Sequence, residues 1–127
     1  MPSITINDLL GVKYTSHGRT KEEGFDCYGI AIEVLKRAGI NMPDVFYNET
    51  NQKKEIIAKI KKLVSYEKIE NPVKWCIIMF ILHEQPMHIG VYLGNGQFIH
   101  ATRNVGVVVE PIHRYRSKIE GYYKVSN

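Results

Sequence analysis

The chain has 127 residues, of which 44% are hydrophobic and 24% charged, and its formal net charge is +4. This length and composition predict one globular domain, residues 1–127, and exclude a disordered chain. The longest apolar run, Trp75–Leu82, is too short to span a membrane, and the mild charge does not call for nucleic acid as a partner. Two cysteines are too few for a disulfide framework.

The N-terminal segment contains no basic stretch followed by an apolar one, so we expect no secretory signal and synthesis in the cytoplasm. Ser3 or Thr5 can cap a short first helix over residues 6–10, because their side chains accept hydrogen bonds from the first helical N–H groups. Residues 12–25 are predicted to form a loop, since they hold glycines and a polar run without periodicity.

Asp26 is expected to be the N-cap of a second helix that runs to about Ala38, with Gly39 just after its end. Apolar residues recur within this segment at helical spacing. Gly29 lies in the first turn, and its missing side chain would let another element approach closely.

The excess positive charge lies in one segment, residues 53–68, which holds six lysines. Apolar residues recur there at helical spacing, so a third helix is predicted from about Thr50 to Tyr66. The lysines would occupy its opposite face. We interpret them as a solvated helix surface, and the alternative is a patch that binds an anionic ligand.

The second half of the chain changes to strand-like patterns. Runs of β-forming residues separated by turn residues predict five strands: Val73–Leu82, His88–Leu93, Gln97–Thr102, Gly106–Pro111 and Ile119–Val125. Helices followed by strands indicate an α+β fold, in which N-terminal helices pack on a C-terminal antiparallel sheet of about five strands.

The segment Gly94–Gly96 predicts a tight hairpin between the second and third of these strands. A two-residue turn there would place His88 and His100 on opposite faces of the sheet. A three-residue loop with a bulge would place both on one face beside Gly90, where no side chain blocks access. We predict the second register.

The two cysteines have different predicted surroundings. Cys27 falls in the first turn of the second helix, where unpaired N–H groups and the helix dipole lower the pKa of a thiol. Cys76 falls among bulky apolar residues of a strand and is expected to be a small core residue. A disulfide between them requires oxidising conditions and close Cα atoms, and we do not expect one.

A cysteine nucleophile needs a base, and the base needs a group that orients it. His88 is the best-placed candidate base, and His100 shares its face in the predicted register. The alternative use of Cys27 with these two histidines is a metal site. No compact ligand spacing supports that alternative, so no metal and no cofactor are expected.

Two segments, Phe25–Ile30 and His88–Ala101, carry a family resemblance. They read Phe-Asp-Cys-Tyr-Gly-Ile and His-Ile-Gly-Val-Tyr-Leu-Gly-Asn-Gly-Gln-Phe-Ile-His-Ala. In this order and at this spacing they resemble the NlpC family of papain-like cysteine peptidases, which cleave peptides of the bacterial cell wall. The resemblance covers nearly the whole chain and implies a papain-like fold.

The resemblance also implies a role for each matching residue. Cys27 is the implied nucleophile, His88 the general base, and His100 the residue that orients the base. Tyr14 matches a family tyrosine that lines the site near the oxyanion, and Asp26 is expected as a further substrate or oxyanion residue. The implied reaction begins with a thiolate–imidazolium pair and proceeds through a thioester that water hydrolyses.

Some positions depart from the usual family pattern. Tyr28 stands where a serine is usual, and together with Gly39–Asp44 it resembles a phage-tail and prophage branch. The segment Trp75–Ile77 lacks the Gly-Asp pair common at the start of its strand. The implied partners are a peptidoglycan stem peptide and a phage tail or larger wall-hydrolase assembly. Without a secretory signal, access to peptidoglycan would require a phage tail, a lysis route, or a cytosolic role on recycled peptides.

The function that the resemblance implies is hydrolysis of stem peptides, at the bond between D-isoglutamate and the diamino acid. Two alternatives stay open. One is a catalytically idle wall-binding or phage-tail structural module that keeps the fold, and the other is an acyltransferase that uses the same thiol. The lysines of residues 53–68 offer, as a further hypothesis, a surface for the carboxylates of the stem peptide.

Overall fold

A computed structural model describes residues 4–44, 58, 65–82 and 85–126, and for residues 85–87 it describes the backbone alone. Helix α1 spans Cys27–Arg37, and 3-10 helices span Asn7–Leu9 and Ile112–Lys118. The strands are β1 (Arg19–Thr20), β2 (Gly24–Phe25), β3 (Ser65–Ile69), β4 (Ile77–Leu82), β5 (Gln85–Gly94), β6 (Gln97–Thr102), β7 (Gly106–Pro111) and β8 (Ile119–Ser126).

Six of the strands form one antiparallel sheet in the order β3-β8-β4-β5-β6-β7. β1 and β2 pair separately as a small hairpin. The α+β fold predicted from the sequence is confirmed, but the sheet has six strands rather than about five. The additional strand is β3, which pairs with β8 at the edge of the sheet.

β3 overlaps the end of the third predicted helix, Thr50–Tyr66. Ser65 and Tyr66 lie in a strand, so the predicted end of that helix is wrong. Ala58 is helical, and the rest of the predicted helix, with most of the lysines, lies outside the described residues. β3 is exposed or half-buried along its length, as expected of a strand at a sheet edge.

The N-terminal segment is less helical than predicted. Asn7–Leu9 forms a single 3-10 turn, and Ile6 precedes it without a side-chain cap, so capping by Thr5 is wrong. The other proposed cap, Ser3, lies outside the described residues. The predicted loop, residues 12–25, contains the short strands β1 and β2.

Helix α1 begins and ends as predicted. Asp26 is its N-cap and accepts a hydrogen bond of 2.7 Å from the backbone N–H of Gly29. Gly39, just after the end, has φ +84, a conformation that favours glycine. The buried face of the helix packs on β5 and β6, which fixes Cys27, its first residue, against the sheet.

Strand β4 begins later than predicted. The expected strand Val73–Leu82 starts only at Ile77, because Trp75 has φ +73, a left-handed conformation that an extended strand does not contain. Trp75 lies in the segment where the resembling family commonly has a Gly-Asp pair. The left-handed conformation of Trp75 is one that glycine adopts without strain. Residues 77–80 are buried, as predicted for a strand covered on both faces.

The sheet separates two clusters of buried residues. The cluster between the sheet and α1, which we call the helix-side cluster, includes from the strands Ile77, Met79, Ile89, Val91, Ile99, Ala101, Val107, Tyr123 and Val125. The cluster on the opposite face, the aromatic cluster, includes Ile78, Phe80, Phe98 and Ile112, with Tyr92, Tyr115, Ile119 and Tyr122 packed against it. Because side chains alternate along a strand, consecutive residues belong to different clusters. Nowhere in the described part of the chain is a helix both long and apolar enough to cross a membrane.

Candidate active site

The hairpin of β5 and β6 sets the faces of the two candidate histidines. The strands pair Val91 with Ile99 and Tyr92 with Phe98, and the register then shifts by one residue before the turn. This ladder is the one predicted to bring both histidines to one face. The loop differs from the prediction, because Asn95–Gly96 forms a two-residue turn with φ of +54 and +74, and the extra residue bulges within β5.

The two imidazoles meet directly on the face of the aromatic cluster. His88 Nε2 lies 2.7 Å from His100 Nδ1, and both residues are buried, with 2% and 1% of their surface exposed. The predicted juxtaposition of His88 and His100 is therefore confirmed. A polar pair so deeply buried is stable only when hydrogen bonds replace those that water would make.

A third residue, Glu110 on β7, completes a hydrogen-bonded series. His100 Nε2 lies 2.6 Å from Glu110 Oε2, and the same carboxylate accepts hydrogen bonds from Tyr115 Oη (2.8 Å) and Arg114 Nη1 (3.1 Å). We call His88, His100 and Glu110 the histidine relay. Because burial depresses imidazole pKa values and a neutral imidazole has one N–H, the order of hydrogen bonds decides which ring nitrogens carry protons.

Glu110 is absent from the site predicted from the sequence, although a signal for it exists. β6 and β7 form a hairpin in which Thr102 pairs with Gly106, and that register places Glu110 opposite Phe98. Phe98 and His100 lie two residues apart on β6, so their side chains share a face with Glu110. The run Gly106–Pro111 is predicted as a strand. Pairing it with the preceding strand from Thr102 and Gly106 onward places Glu110 on the face of His100.

The space beside the histidines is occupied rather than open. A Cβ atom at Gly90 would lie 2.8 Å from the ring of Phe98, so this glycine makes room for an aromatic ring, and the predicted role in access to the site is wrong. The rings of Phe80, Phe98 and Tyr115 surround the imidazoles at centroid distances of 4.5 to 6.2 Å. The relay therefore lies in an apolar setting with little water.

Cys27 approaches β5 from the start of α1. Its thiol receives hydrogen bonds from the backbone N–H groups of Ile89, the residue after His88, and of Tyr28. Cys27 is 7% exposed. The helix start thus brings the sulfur to the strand that carries His88, while the Nδ1 atom of His88 is buried and has no hydrogen-bond partner among the described residues.

The charge state of the thiol differs from the expectation. Burial raises the pKa of Cys27 to about 12, and the neighbouring Asp26 carboxylate acts in the same direction. The N–H groups of Ile89 and Tyr28 lower the pKa, as the helix-start argument requires, but by less than burial raises it. Cys27 is therefore a protonated thiol at neutral pH in the free protein.

The histidines are neutral for the same reason. Burial lowers the pKa of His88 to about 3, and repulsion by His100 adds to the effect while Glu110 opposes it. Burial also lowers the pKa of His100, against the opposing pull of Glu110. At Glu110 burial raises the pKa, but hydrogen bonds from His100 and Tyr115 outweigh it and leave the pKa lowered. The expected thiolate–imidazolium pair is thus not the resting state.

Asp26 lies where the sequence predicted but has a full set of partners. Its carboxylate, in a residue 4% exposed, accepts from the N–H groups of Gly29 (2.7 Å) and His17 (3.0 Å) and from Arg19 Nη1 (2.9 Å). These contacts join the helix start to the preceding loop, and a Cβ at Gly29 would clash with the Gly18 carbonyl, as the predicted close approach requires.

Tyr14 lies beside the segment that leads into α1. It forms an isolated parallel bridge with Phe25, two residues before Cys27, and the Arg103 guanidinium lies 5.2 Å from its ring centre. Tyr28 points elsewhere: it is fully buried, and its hydroxyl donates to the Pro43 carbonyl. The tyrosine after the cysteine therefore anchors the segment that follows α1.

The remaining candidates lie apart from the relay. Cys76 is 1% exposed just before β4, burial raises the pKa of its thiol, and no disulfide joins it to Cys27. Within residues 4–44, 58, 65–82 and 85–126, no three His, Cys, Asp or Glu side chains are grouped so as to hold a metal ion.

Known proteins resemble this chain over most of its length. The sequence pattern of the NlpC/P60 family matches this chain over residues 11–123. Gamma-DL-glutamyl hydrolase of Bacillus subtilis (strain 168) is 32% identical in an alignment of 107 residues that covers 80% of this chain and 23% of that protein. The murein DD-endopeptidase and murein LD-carboxypeptidase MepS of Escherichia coli (strain K12) is 26% identical over 84% of this chain and 50% of its own.

A solved structure has the same fold. NlpC2 from Trichomonas vaginalis is 26% identical and superposes with a TM-score of 0.65, over 92% of this chain and 42% of that one. The chain thus spans half or less of the length of these three relatives.

Proposed function

The chain belongs to the NlpC/P60 family, and from this premise we propose that it is a cysteine endopeptidase that hydrolyses peptidoglycan stem peptides. One observation carries the proposal. The histidine relay ends in a buried Nδ1 atom of His88 without a hydrogen-bond partner among the described residues, on the strand that receives the thiol of Cys27. An imidazole nitrogen without a hydrogen-bond partner, on the strand whose backbone the thiol contacts, offers cysteine chemistry an acceptor for the thiol proton.

In the proposed reaction, Sγ of Cys27 attacks the carbonyl carbon of the scissile peptide bond, and His88 Nδ1 accepts the thiol proton. His88 then returns that proton to the leaving nitrogen as the C–N bond breaks, which leaves a thioester on Cys27. Water attacks the thioester, His88 takes one of its protons, and the carboxylic acid leaves as the thiol is restored. His100 orients the base throughout.

The resting charges fit a proton transfer that accompanies attack. The thiol and the imidazole are both neutral in the free protein, so the charged pair forms only as the new C–S bond develops. The oxyanion would be stabilised by the backbone N–H of Cys27 at the helix start, with the hydroxyl of Tyr14 as a second donor. Asp26 acts in this proposal by holding the helix start in place.

The proposed bond joins D-isoglutamate to the diamino acid of the stem peptide. The name of the Bacillus subtilis relative specifies a gamma-glutamyl bond and supports this choice. The name of the Escherichia coli relative supports murein as the substrate, but it specifies DD and LD bonds instead. Delivery by a phage tail or a lysis route remains part of the proposal. The phage-tail route rests on the branch resemblance of Tyr28 and the Gly39–Asp44 segment, which the hydrogen bond from Tyr28 to Pro43 joins. Both routes rest on the expected absence of a secretory signal.

The test is mass spectrometry of defined muropeptides incubated with the wild type and with Cys27→Ala. We expect the wild type to release the two halves of the stem peptide and Cys27→Ala to release neither, with an unchanged circular dichroism spectrum. Cys76→Ala is the matched control, since it removes the other buried thiol, and it should retain activity.

Three results would contradict the proposal. Undiminished hydrolysis by Cys27→Ala would remove the nucleophile. Binding of muropeptides by the wild type without cleavage would favour the idle wall-binding module. Products in which the acyl group has moved to an added amine, with no free acid, would favour the acyltransferase.

A further inference from the structure

The hydrogen bonds of the histidine relay have a direction. Glu110 has no proton to donate when ionised, so His100 must donate its Nε2–H to Glu110 Oε2 across the 2.6 Å contact. The other nitrogen of a neutral His100, Nδ1, is then bare and must accept. His88 therefore donates its Nε2–H to His100 Nδ1 across 2.7 Å, and the proton-free nitrogen of His88 is Nδ1.

We propose that Glu110 is a positioning residue that sets the tautomers of both histidines and so keeps His88 Nδ1 unprotonated as the acceptor for the thiol proton. The catalytic consequence rests on the proposed function, whereas the proton positions do not. Glu110 touches neither the thiol nor the base. Its influence passes through His100, which links the two residues by one hydrogen bond on each side.

The surroundings of the carboxylate hold it in place for this role. Tyr115 donates to the same oxygen that His100 contacts, and Arg114 pairs with the other oxygen at 3.1 Å. Three donors on one side chain fix both its orientation and its negative charge. The side chain of Glu110 is 18% exposed, whereas that of His100 is 1% exposed. The negative charge therefore lies near the surface and acts on the buried imidazole of His100.

The groups around the relay allow the effect of Glu110 to be isolated. His88 on β5, His100 on β6, Glu110 on β7, and Tyr115 and Arg114 of the second 3-10 helix are its titratable or charged members. β4 contributes an apolar ring, Phe80, and Cys27 of α1 lies beside β5. Glu110 raises the pKa of both imidazoles, so removing its charge should lower both.

Nuclear magnetic resonance of the ring nitrogens tests the proton positions without any substrate. In 15N-histidine-labelled wild-type protein at pH 7, we expect His100 to carry its proton on Nε2 and His88 on Nε2. A proton on His88 Nδ1 or on His100 Nδ1 would overturn the proposal. This measurement needs no variant, so it decides the question even where a substitution at Glu110 impairs folding.

Glu110→Gln gives the second arm. Its amide can donate to His100 Nε2 as well as accept, so the direction of the relay is no longer fixed, and we expect mixed tautomers at His88. The matched control is Glu120→Gln, which removes a carboxylate that accepts a hydrogen bond from Tyr123 but lies outside the relay. The control should leave both tautomers and activity unchanged. Unaltered tautomers in Glu110→Gln would overturn the proposal.

Kinetics on the cleaved muropeptide give a readout that a merely structural role would not move. Glu110→Gln should lower kcat by roughly 10- to 100-fold with little change in KM, because the imidazolium formed during attack loses a supporting charge. The acidic limb of kcat/KM should move to lower pH, since the pKa values of both imidazoles fall. An unchanged kcat and pH profile would overturn the catalytic consequence.

The two proposals fail in different ways. A wild type that cleaves no muropeptide but shows the expected tautomers contradicts the proposed function and supports the role of Glu110 in setting proton positions. A wild type that cleaves muropeptides and has a proton on His88 Nδ1 supports the function and overturns the role of Glu110.

Discussion

Both faces of the sheet hold fully buried residues, but the two faces differ in how those residues are held. On the helix side, residues such as Ile89 and Ile99 pack as hydrocarbon and need no partner beyond contact. On the aromatic side, His88 and His100 are just as inaccessible, yet each occupies its place by directed hydrogen bonds. Consecutive residues of one strand thus lie in different surroundings, one apolar and the other hydrogen-bonded.

Buried residues that only stabilise the fold can therefore be separated from buried residues that take part in chemistry. Exposure does not distinguish them, because Ile99 and His100 are neighbours on β6 and both are buried. What distinguishes them is that His100 is polar and belongs to a hydrogen-bonded series. Among the described residues, every ring nitrogen of the histidine relay has a hydrogen-bond partner except Nδ1 of His88. We therefore expect substitutions on the helix side to change stability, and substitutions in the relay to change activity.

The largest expected change in stability comes from Ile99→Ala on the helix side. Ile99 is completely buried, so the lost contacts and the cavity should lower the free energy of unfolding by about 2–5 kcal/mol. The shape of the pH–activity profile should stay the same, because the relay is on the other face. Urea unfolding and kcat/KM against pH measure the two effects, with Ile99→Val as the milder control. A displaced pH profile would break the distinction between the faces.

A second change in stability should come from acid and arise on the aromatic side. The pKa of His88 is lowered to about 3 in the folded protein from an ordinary value of 6.5. Below pH 6.5 the unfolded chain binds a proton that the folded chain does not, so stability falls as pH falls towards 3. The slope for this group is about 1.4 kcal/mol per pH unit.

The acid effect is measured by urea unfolding at pH 7, 6, 5 and 4. His88→Gln should make the dependence shallower than in the wild type, and Ile99→Ala should shift the whole curve without changing its slope. Equal slopes in the wild type and His88→Gln would contradict the buried, neutral state of His88.

The smallest effect is expected at the rim of the aromatic side, with Arg114→Gln. The side chain of Arg114 is 61% exposed, and such an ion pair contributes about 0–1 kcal/mol to stability. We expect activity within about twofold of the wild type, since His100 and Tyr115 continue to donate to Glu110. A loss of activity as large as that of Glu110→Gln would show that the outer partner, and not the relay, controls the carboxylate.

The parts of this molecule that local chemistry determines were predictable from sequence. Asp26 and Gly39 bound helix α1 as predicted, because capping depends on a few adjacent residues. The His88–His100 contact was predictable since hairpin geometry sets the register between neighbouring strands. The position of the bulge was not, because Asn95–Gly96 satisfies a two-residue turn and the strand takes up the extra residue.

The parts that depend on distant partners were not predictable in the same way. Residues Ser65–Ile69 pair with β8, more than fifty residues along the chain, and nothing local to them requires a strand. The conformation of Trp75 belongs to the same class, since the left-handed region is rare for a bulky residue. The pKa of Cys27 reverses the local expectation, because burial outweighs the helix start.

The burial of Cys27 affects how long the protein keeps a reduced thiol. Peroxide and other oxidants attack thiolates that are exposed, and they convert them to sulfenic and then irreversible acids. Cys27 offers little exposed surface and, with its pKa raised to about 12, almost no thiolate. The desolvation that keeps the thiol protonated therefore also protects it from oxidation. In a stored preparation, the Cys27 thiol should be oxidised slowly.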